Sequence, residues 1–298
     1  MVLHLIQAIM VAFAGVFSIA LGRDMYRHRK DGFSDKNPVA LGSISFVTLF
    51  FDTLGIGSVP PATACFKMFK LVPDDKIPGT HFIANVIPCV LSAFVFMQTI
   101  EVEILTLVAM VSAATFGGYF GARFVSKLPV QKIQFVLGIA LLIVTFIIAA
   151  QQLNLMPAGG TETGLHGWKL AAATAGAFCS GFLLNLAIPF YPTTMALTYM
   201  LGLDPRSVFP IMVTACVFLQ AAGGFKYIKE GKYDRKFGLI SVFAGTAGVA
   251  IAAFIVKSMP IYWLKWIICI VIVYTAILML RSAIKSKKEA QNKIAEEA

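Results

Sequence analysis

The chain has 298 residues, of which 58% are hydrophobic and only 13% are charged, and its net charge is +10. Soluble domains carry about 25% charged residues, so this composition excludes a soluble enzyme, a disordered chain and a nucleic-acid-binding protein. It predicts an all-α polytopic membrane protein whose basic residues collect in loops on the cytoplasmic side.

Seven stretches without Asp, Glu, Lys or Arg are each long enough for one spanning helix, which needs roughly 20 apolar residues. In chain order they cover residues 5–22, 77–100, 104–122, 133–161, 207–225, 237–256 and 266–280. The first of them is an extra N-terminal span, followed by a basic loop. The five cysteines lie in apolar stretches without metal-ligand spacing, and are interpreted as buried free thiols.

Two apolar stretches, 37–66 and 170–203, do not fit a single spanning helix. A continuous helix over the second would be about 51 Å long, whereas the hydrocarbon core is about 30 Å thick. Each stretch is therefore predicted to form a helix, a break and a shorter helix that returns to the same face. The interrupting residues are Gly55, Gly57, Pro60 and Pro61 in the first stretch and Pro189 and Pro192 in the second.

The two broken stretches belong to an internal repeat. A shift of 132 aligns several residues without a gap, namely Pro60/Pro192, Ala64/Ala196, Met68/Met200, Leu71/Leu203, Pro73/Pro205 and Pro78/Pro210. A shift of 131 then aligns Gly117 with Gly248 and Pro129 with Pro260. A fixed offset held over this length favours a true repeat over chance similarity between apolar segments.

An odd number of crossings separates the two copies, so the second copy is predicted to be inverted. Each copy then has one broken, re-entrant helix pair and three spanning helices, after the extra N-terminal span. Small residues three or four apart, at Gly117, Gly118, Gly121, Gly245 and Gly248, predict close helix packing. The predicted divisions are 1–36, repeat 37–152, an outside loop 153–168, repeat 169–283 and a charged cytoplasmic tail 284–298.

Paired breaks of opposite direction predict an anion site near the middle of the membrane. A break exposes N–H groups at the start of the second helical piece, where the helix dipole also favours an anion. The predicted substrate-binding residues are Gly55, Gly57, Ser58, Thr63, Asn85, Tyr191, Thr193 and Thr194, with Asn185, Thr214 and Gln220 as further candidates for lining the cavity. The alternative is that the breaks are plain kinks with small residues for packing.

Two titratable residues near the first break are candidates for coupling transport to an ion. Asp52 precedes the break, and an intramembrane carboxylate is a functional hypothesis by default, although it can equally brace the broken backbone. It would repel an anion unless it is protonated or paired, for example with Lys67 or His81. His81 shares one helix face with Asn85, and its alternative is an interfacial position near the membrane surface.

The segments around both breaks resemble the sulfite exporter TauE/SafE family. The similarity lies in FDTLGIGSVPPAT and FKLVPDDKIPGTHFIANVI in the first half, and in SGFLLNLAIPFYPTT and MLGLDPRSVFPIMVTACVF in the second. The resemblance implies a transporter of sulfite or a related anion, such as thiosulfate or a sulfonate, in a prokaryotic cytoplasmic membrane. The family's first signature is richer in glycine than Gly55-Ile56-Gly57-Ser58, which leaves the anion's identity open.

Three functions are weighed: a secondary anion transporter, an anion channel on the same hairpins, and an intramembrane enzyme. The sequence has no phosphate-binding P-loop, so transport would be driven by a coupling ion or by the membrane potential. Its four histidines are dispersed, which predicts no catalytic residue, no metal site and no cofactor. The predicted partners are a small anion and the lipid bilayer, without nucleic acid, and a homo-oligomer is left open.

Overall fold

The computed structural model describes residues 2–30, 33–53, 57–99, 101–153, 155, 160–255, 270, 273–274, 276–278 and 280–285. Gly55 and most of the predicted last span and tail lie outside these residues. The helices are α1 (Val2–Arg27), α2 (Pro38–Thr53), α3 (Val59–Met68), α4 (Ile77–Thr99), α5 (Ile104–Val125), α6 (Val130–Gln152), α7 (Gly167–Leu184), α8 (Phe190–Met200), α9 (Pro205–Glu230) and α10 (Arg235–Ile255).

The chain is an all-α polytopic membrane protein. Within the described residues, six helices are long and apolar enough to cross a membrane, namely α1, α4, α5, α6, α9 and α10. They confirm six of the seven predicted spans, and the seventh, 266–280, lies mostly outside the described residues. Helix α2 is apolar but shorter, as expected for one half of a broken stretch.

Local sequence signals fix the ends of the most buried helix, α9. The Asp204 side chain accepts a 2.7 Å hydrogen bond from the Arg206 amide, and Pro205 occupies the first turn. Gly231 ends the helix in the left-handed conformation at φ 64°, which costs a glycine little. Between these caps α9 is buried on nearly all sides, so it forms the centre of the bundle together with α4.

The helices of the two halves occur in the same order. Helices α2, α3, α4 and α5 correspond to α7, α8, α9 and α10 at the offsets found in the sequence. Their packing also corresponds, because α2 lies against α10 while α7 lies against α5, and α4 lies against α9. Each short helix pair is therefore held mainly by a helix of the other half.

The two broken hairpins open at opposite ends of the bundle. The segment before α2, the end of α3 and the α9–α10 turn at Tyr233 and Asp234 line one cavity. At the other end, residues 160–163, which precede α7, bond to 202–204, which follow α8, and the Thr163 carbonyl accepts a hydrogen bond from Glu103 in the α4–α5 turn. Each hairpin thus enters and leaves at a single end.

Glycines allow the hairpins to approach their partner helices closely, as the small-residue spacing predicted. A Cβ atom at Gly117 would collide with the Phe178 carbonyl of α7, and one at Gly248 with the Phe46 carbonyl of α2. Because the colliding atoms are backbone, no side-chain rotation would relieve either contact. The seams between α5 and α7 and between α2 and α10 are therefore backbone-to-backbone.

Candidate functional site at the helix breaks

The two breaks meet in the middle of the bundle. Helix α2 ends at Thr53 and α3 begins at Val59, while α7 ends at Leu184 and α8 begins at Phe190. Gly57 adopts φ +89°, and a Cβ built on it would lie 3.6 Å from Cβ of Pro189. A residue with a side chain at position 57 would be strained, so glycine suits both this backbone and the close approach.

A small cavity of about 20 Å³ lies between the breaks. That volume holds about one water molecule and is smaller than a four-atom oxyanion. Its lining comes from both breaks and from α9, and consists of Asp52, Gly57, Ser58, Val59, Leu184, Pro189, Phe190, Tyr191, Cys216 and Gln220. Four of the predicted residues, Asp52, Gly57, Ser58 and Tyr191, are thus brought together, and the further candidate Gln220 joins them.

A chain of hydrogen bonds links the first break to α4. The Ser58 amide donates to Oδ1 of Asp52 at 2.5 Å, and Nδ2 of Asn85 donates to Oγ of Ser58 at 2.9 Å. Asp52 therefore holds the position that an anion would take at the start of α3. Lys67, proposed above as a partner for this carboxylate, instead pairs with Asp74 at 2.5 Å.

His81 lies one helical turn before Asn85 and is buried. Its Nε2 lies 2.8 Å from Oγ1 of Thr63, and that hydroxyl also donates to the Val59 carbonyl at 2.7 Å. One hydroxyl hydrogen serves one acceptor, so the imidazole N–H is the donor to Thr63. This burial fits the predicted helix face shared with Asn85, and the position of His81 relative to the membrane surface stays a prediction.

The threonines of the second break point elsewhere. The Thr193 hydroxyl lies 3.0 and 3.1 Å from the carbonyl oxygens of Pro189 and Phe190, so its hydrogen bond stays within its own turn. The Thr194 hydroxyl is buried and has no hydrogen-bond partner within the described residues. Neither threonine lines the central cavity, and the same holds for Thr214, which lines an apolar cavity with α1 and α5. Their roles remain predictions.

Asn185 braces the end of α7 instead of facing the cavity. Its Nδ2 donates to the Gly118 carbonyl of α5 at 3.3 Å, and its Oδ1 accepts a 3.0 Å hydrogen bond from the Tyr227 hydroxyl of α9. Three helices are joined through this one side chain, whose residue is 1% exposed. Such a fully bonded amide is a structural tie between the second break and the central helices.

Fewer backbone donors are available at the breaks than a generic helix start offers. The Ser58 amide is already bonded to Asp52. Pro60, Pro61 and Pro192 occupy first-turn positions, and proline has no N–H. Side-chain donors such as Ser58 and Asn85 are therefore more important at this site than the helix dipole alone suggests.

One cysteine lines the cavity and a second lies beside it, although all cysteines were predicted to be packing residues. Cys216 lines the cavity together with Tyr191. Cys89 of α4 lies nearby, with its Sγ 3.9 Å from Oε1 of Gln220. The sequence signal that could have indicated Cys216 was its spacing from Gln220, a predicted cavity residue, because residues four apart share one helix face.

Comparison with known proteins identifies the family. The family profile described as sulfite exporter TauE/SafE matches residues 1–148 and 170–297, and so includes both breaks. No curated protein sequence and no solved structure matches the chain. Since the profile covers most of the chain and the helices that build the central cavity, the chain belongs to the sulfite exporter TauE/SafE family.

Proposed function

We propose that this protein is a secondary transporter that moves sulfite, or a related sulfur-containing or organic anion, across the cytoplasmic membrane by alternating access. The observation that carries the proposal is the cavity lined from both breaks, with polar groups of Asp52, Ser58, Tyr191 and Gln220 around it. Irregular backbone at this depth is tolerated where it is buried in protein or lines a wet path.

The repeats are proposed to be inverted, as in other transporters with broken helices. Support comes from the two hairpins, which open at opposite ends of the bundle, and from the exchanged packing of α2 with α10 and α7 with α5. A site between such repeats can be exposed to either side by rocking one hairpin against the other. The cavity of about 20 Å³ must enlarge before an anion enters.

The substrate is proposed to bind by hydrogen bonds without a salt bridge. Ser58, Asn85 and Tyr191 supply side-chain donors near the cavity, and Gly57 lets the ligand approach the backbone. Gly55, Thr63, Thr193 and Thr194 complete the proposed set once the hairpins separate. A site without a lysine or arginine holds an anion weakly enough to release it.

Asp52 is proposed as the coupling group because its carboxylate and the substrate compete for the Ser58 amide. Protonation of Asp52 removes the competing charge, so the anion and a proton bind together and travel in the same direction. The titratable groups that face Asp52 are the side chains of Tyr191 on α8, Cys216 on α9 and Cys89 on α4. His81, hydrogen-bonded to Thr63, is the second coupling candidate.

Anion uptake into liposomes containing the purified protein tests the proposal. Sulfite, thiosulfate, sulfate and small sulfonates are first screened for thermal stabilisation, since a bound ligand stabilises the folded state by mass action. The expected result is saturable uptake of the stabilising anion, accelerated by the same anion on the opposite side. Flux that does not saturate and shows no counterflow would instead establish an anion channel on the same hairpins. No flux of any of the anions would refute the proposal.

A further inference from the structure

We infer that a lysine-lined cavity at the open end of the first hairpin, away from the helix break, is a second anion-binding site, which collects the substrate before it reaches the helix breaks. The inference rests on the proposed function for its role in transport. The cavity has a volume of about 880 Å³, within the range of small-molecule sites. Four lysines line it, Lys36, Lys67, Lys70 and Lys76, and it is called the lysine vestibule below.

The charge of the lysine vestibule is positive. Its acidic lining residues are Asp74 and Asp234. Asp74 is already bonded to Lys67, and Asp234 caps α10 by accepting the Phe237 amide at 2.7 Å. Lys36, Lys70 and Lys76 form no salt bridge within the described part of the chain, so their ammonium groups remain available to an anion.

The backbone at Lys70 is the second, independent observation. Lys70 adopts φ 51°, a left-handed conformation that glycine takes more easily. It follows α3 in a helix-ending motif in which the amides of Lys70 and Leu71 bond to the carbonyls of Lys67 and Phe66. The second hairpin ends in the same motif, but there the equivalent residue is Gly202, at φ 94°. The first hairpin thus places a lysine where the fold alone favours glycine.

The opposite end of the bundle has the reverse charge. A cavity of about 670 Å³ there has Glu101 and Glu103 as its charged lining residues. The repeat offset replaces Lys67, Lys70 and Lys76 with Tyr199, Gly202 and Val208 at the second hairpin. The basic end is the cytoplasmic one by the distribution of lysine and arginine, so the vestibule would gather anions from the cytoplasm.

A row of polar side chains connects the vestibule to the central cavity. Phe66 lines the vestibule, and its ring centroid lies 5.2 Å from that of His81. Behind Phe66, His81 bonds to Thr63, and one turn further along α4 Asn85 bonds to Ser58. An anion that passes Phe66 therefore meets hydrogen-bonding groups along the α3–α4 contact up to the break.

The decisive variant is Lys70→Gly, which installs the residue of the second hairpin. Because it relieves the left-handed strain, the melting temperature is expected to stay the same or rise. At low ionic strength kcat/KM for anion transport from the vestibule side should fall about threefold to tenfold, with kcat unchanged, and salt should remove the difference. Lys70→Arg should retain wild-type kinetics. Lys127→Gln, the same charge loss at an exposed residue outside the vestibule, should change kcat/KM by less than about twofold.

A naphthalene disulfonate probe tests the vestibule without transport, because it is too large for the central cavity. It should stabilise the wild type and the Ser58→Ala variant but not Lys70→Gly, measured as a shift in melting temperature in phosphatidylcholine nanodiscs. Equal stabilisation of Lys70→Gly, or none of the wild type, would overturn the vestibule. Loss of the shift in phosphatidylglycerol nanodiscs would also overturn it, since a lipid headgroup would then be the occupant. Lys70-dependent binding without any anion flux would refute the transport proposal alone.

Discussion

The two helix breaks occupy equivalent positions but differ in chemistry. At the first break the polar side chains face one another and the cavity, in the series Asp52, Ser58 and Asn85. At the second break the polar side chains bond within the scaffold, with Thr193 on its own turn and Asn185 on α5 and α9. At the repeat offset of 132, Leu184 aligns with Asp52 and Phe190 aligns with Ser58.

This difference indicates a division of labour between two copies of one motif. Both copies keep the interrupted backbone, which the cavity requires. The first copy carries the groups that can exchange partners with a ligand or a proton, whereas the second copy is tied to the central helices and provides a fixed wall. Substitutions at the first break should therefore change binding and transport most, whereas those at the second should change mainly stability, with a smaller effect on binding.

The largest effect is expected for Asn185→Leu at the second break. The change leaves the buried Tyr227 hydroxyl without its acceptor, and an unpaired buried group costs about 1–3 kcal/mol. The lost amide bonds to α5 add to this cost, so the melting temperature in detergent should fall clearly. Tyr227→Phe removes the hydroxyl itself and should be milder. An unchanged melting temperature for Asn185→Leu would contradict the bracing role.

Asp52→Asn should remove the pH dependence of transport while sparing binding. The amide keeps an acceptor for the Ser58 N–H but carries no charge, so it resembles the protonated acid. Thiosulfate is the suitable probe, because it remains a dianion over the pH range in which Asp52 would titrate. In the wild type the affinity for thiosulfate should decrease as the pH rises and Asp52 ionises. In the variant the affinity should stay at the tighter value that the wild type has at low pH. At the alkaline end of the profile the two affinities should differ roughly tenfold.

The contrast with Asp52→Leu controls for the loss of the hydrogen bond. That variant also lacks the charge, but its side chain cannot accept a hydrogen bond from the Ser58 amide. Its affinity for thiosulfate should therefore not change with pH and should be lower than that of Asp52→Asn. If Asp52→Asn keeps the wild-type pH profile, Asp52 is not the coupling group, and His81→Gln becomes the next variant to measure.

Ser58→Ala and Thr193→Ala form a matched pair across the two breaks. Each removes one hydroxyl, and both should weaken thermal stabilisation by the transported anion. Ser58 lines the cavity, so its removal should reduce the apparent affinity about fivefold, the loss of one hydrogen bond. Thr193 already donates to its own turn, so its effect should be smaller. Unchanged affinity in both variants would remove the breaks as the binding site.

The smallest effect is expected for Ala187→Gly. Ala187 lies in the turn after α7 at φ 62°, and the aligned residue of the first repeat is Gly55. Glycine should raise the free energy of unfolding by up to about 1 kcal/mol, because the left-handed conformation no longer strains a Cβ. Gly202→Ala, at φ 94°, makes the reverse change and should lower it. Shifts of the same sign in both variants would contradict this account.

The sequence was sufficient to predict six of the membrane helices and the two breaks, whereas the span at 266–280 stays a prediction. Spans depend on local apolar content, and breaks depend on proline and glycine, so both can be identified without knowing the neighbours. The suggested pairing of Asp52 with Lys67 was wrong, because the segment after α3 brings Asp74 to Lys67. Cys216 was missed because α9 is apolar nearly all round, and periodicity then does not distinguish the face toward the cavity from the face toward α5.

The glycine seams determine which parts can move as the centre opens. Gly245 and Gly248 hold α10 against α2, and Gly117 and Gly121 hold α5 against α7, at distances that leave no clearance for sliding. The contact between Gly57 and Pro189 is an ordinary van der Waals one and separates easily. If the centre opens by the proposed alternating access, the unit that moves would be a hairpin together with the helix of the other half that packs on it, so neither half of the sequence would form a complete moving part.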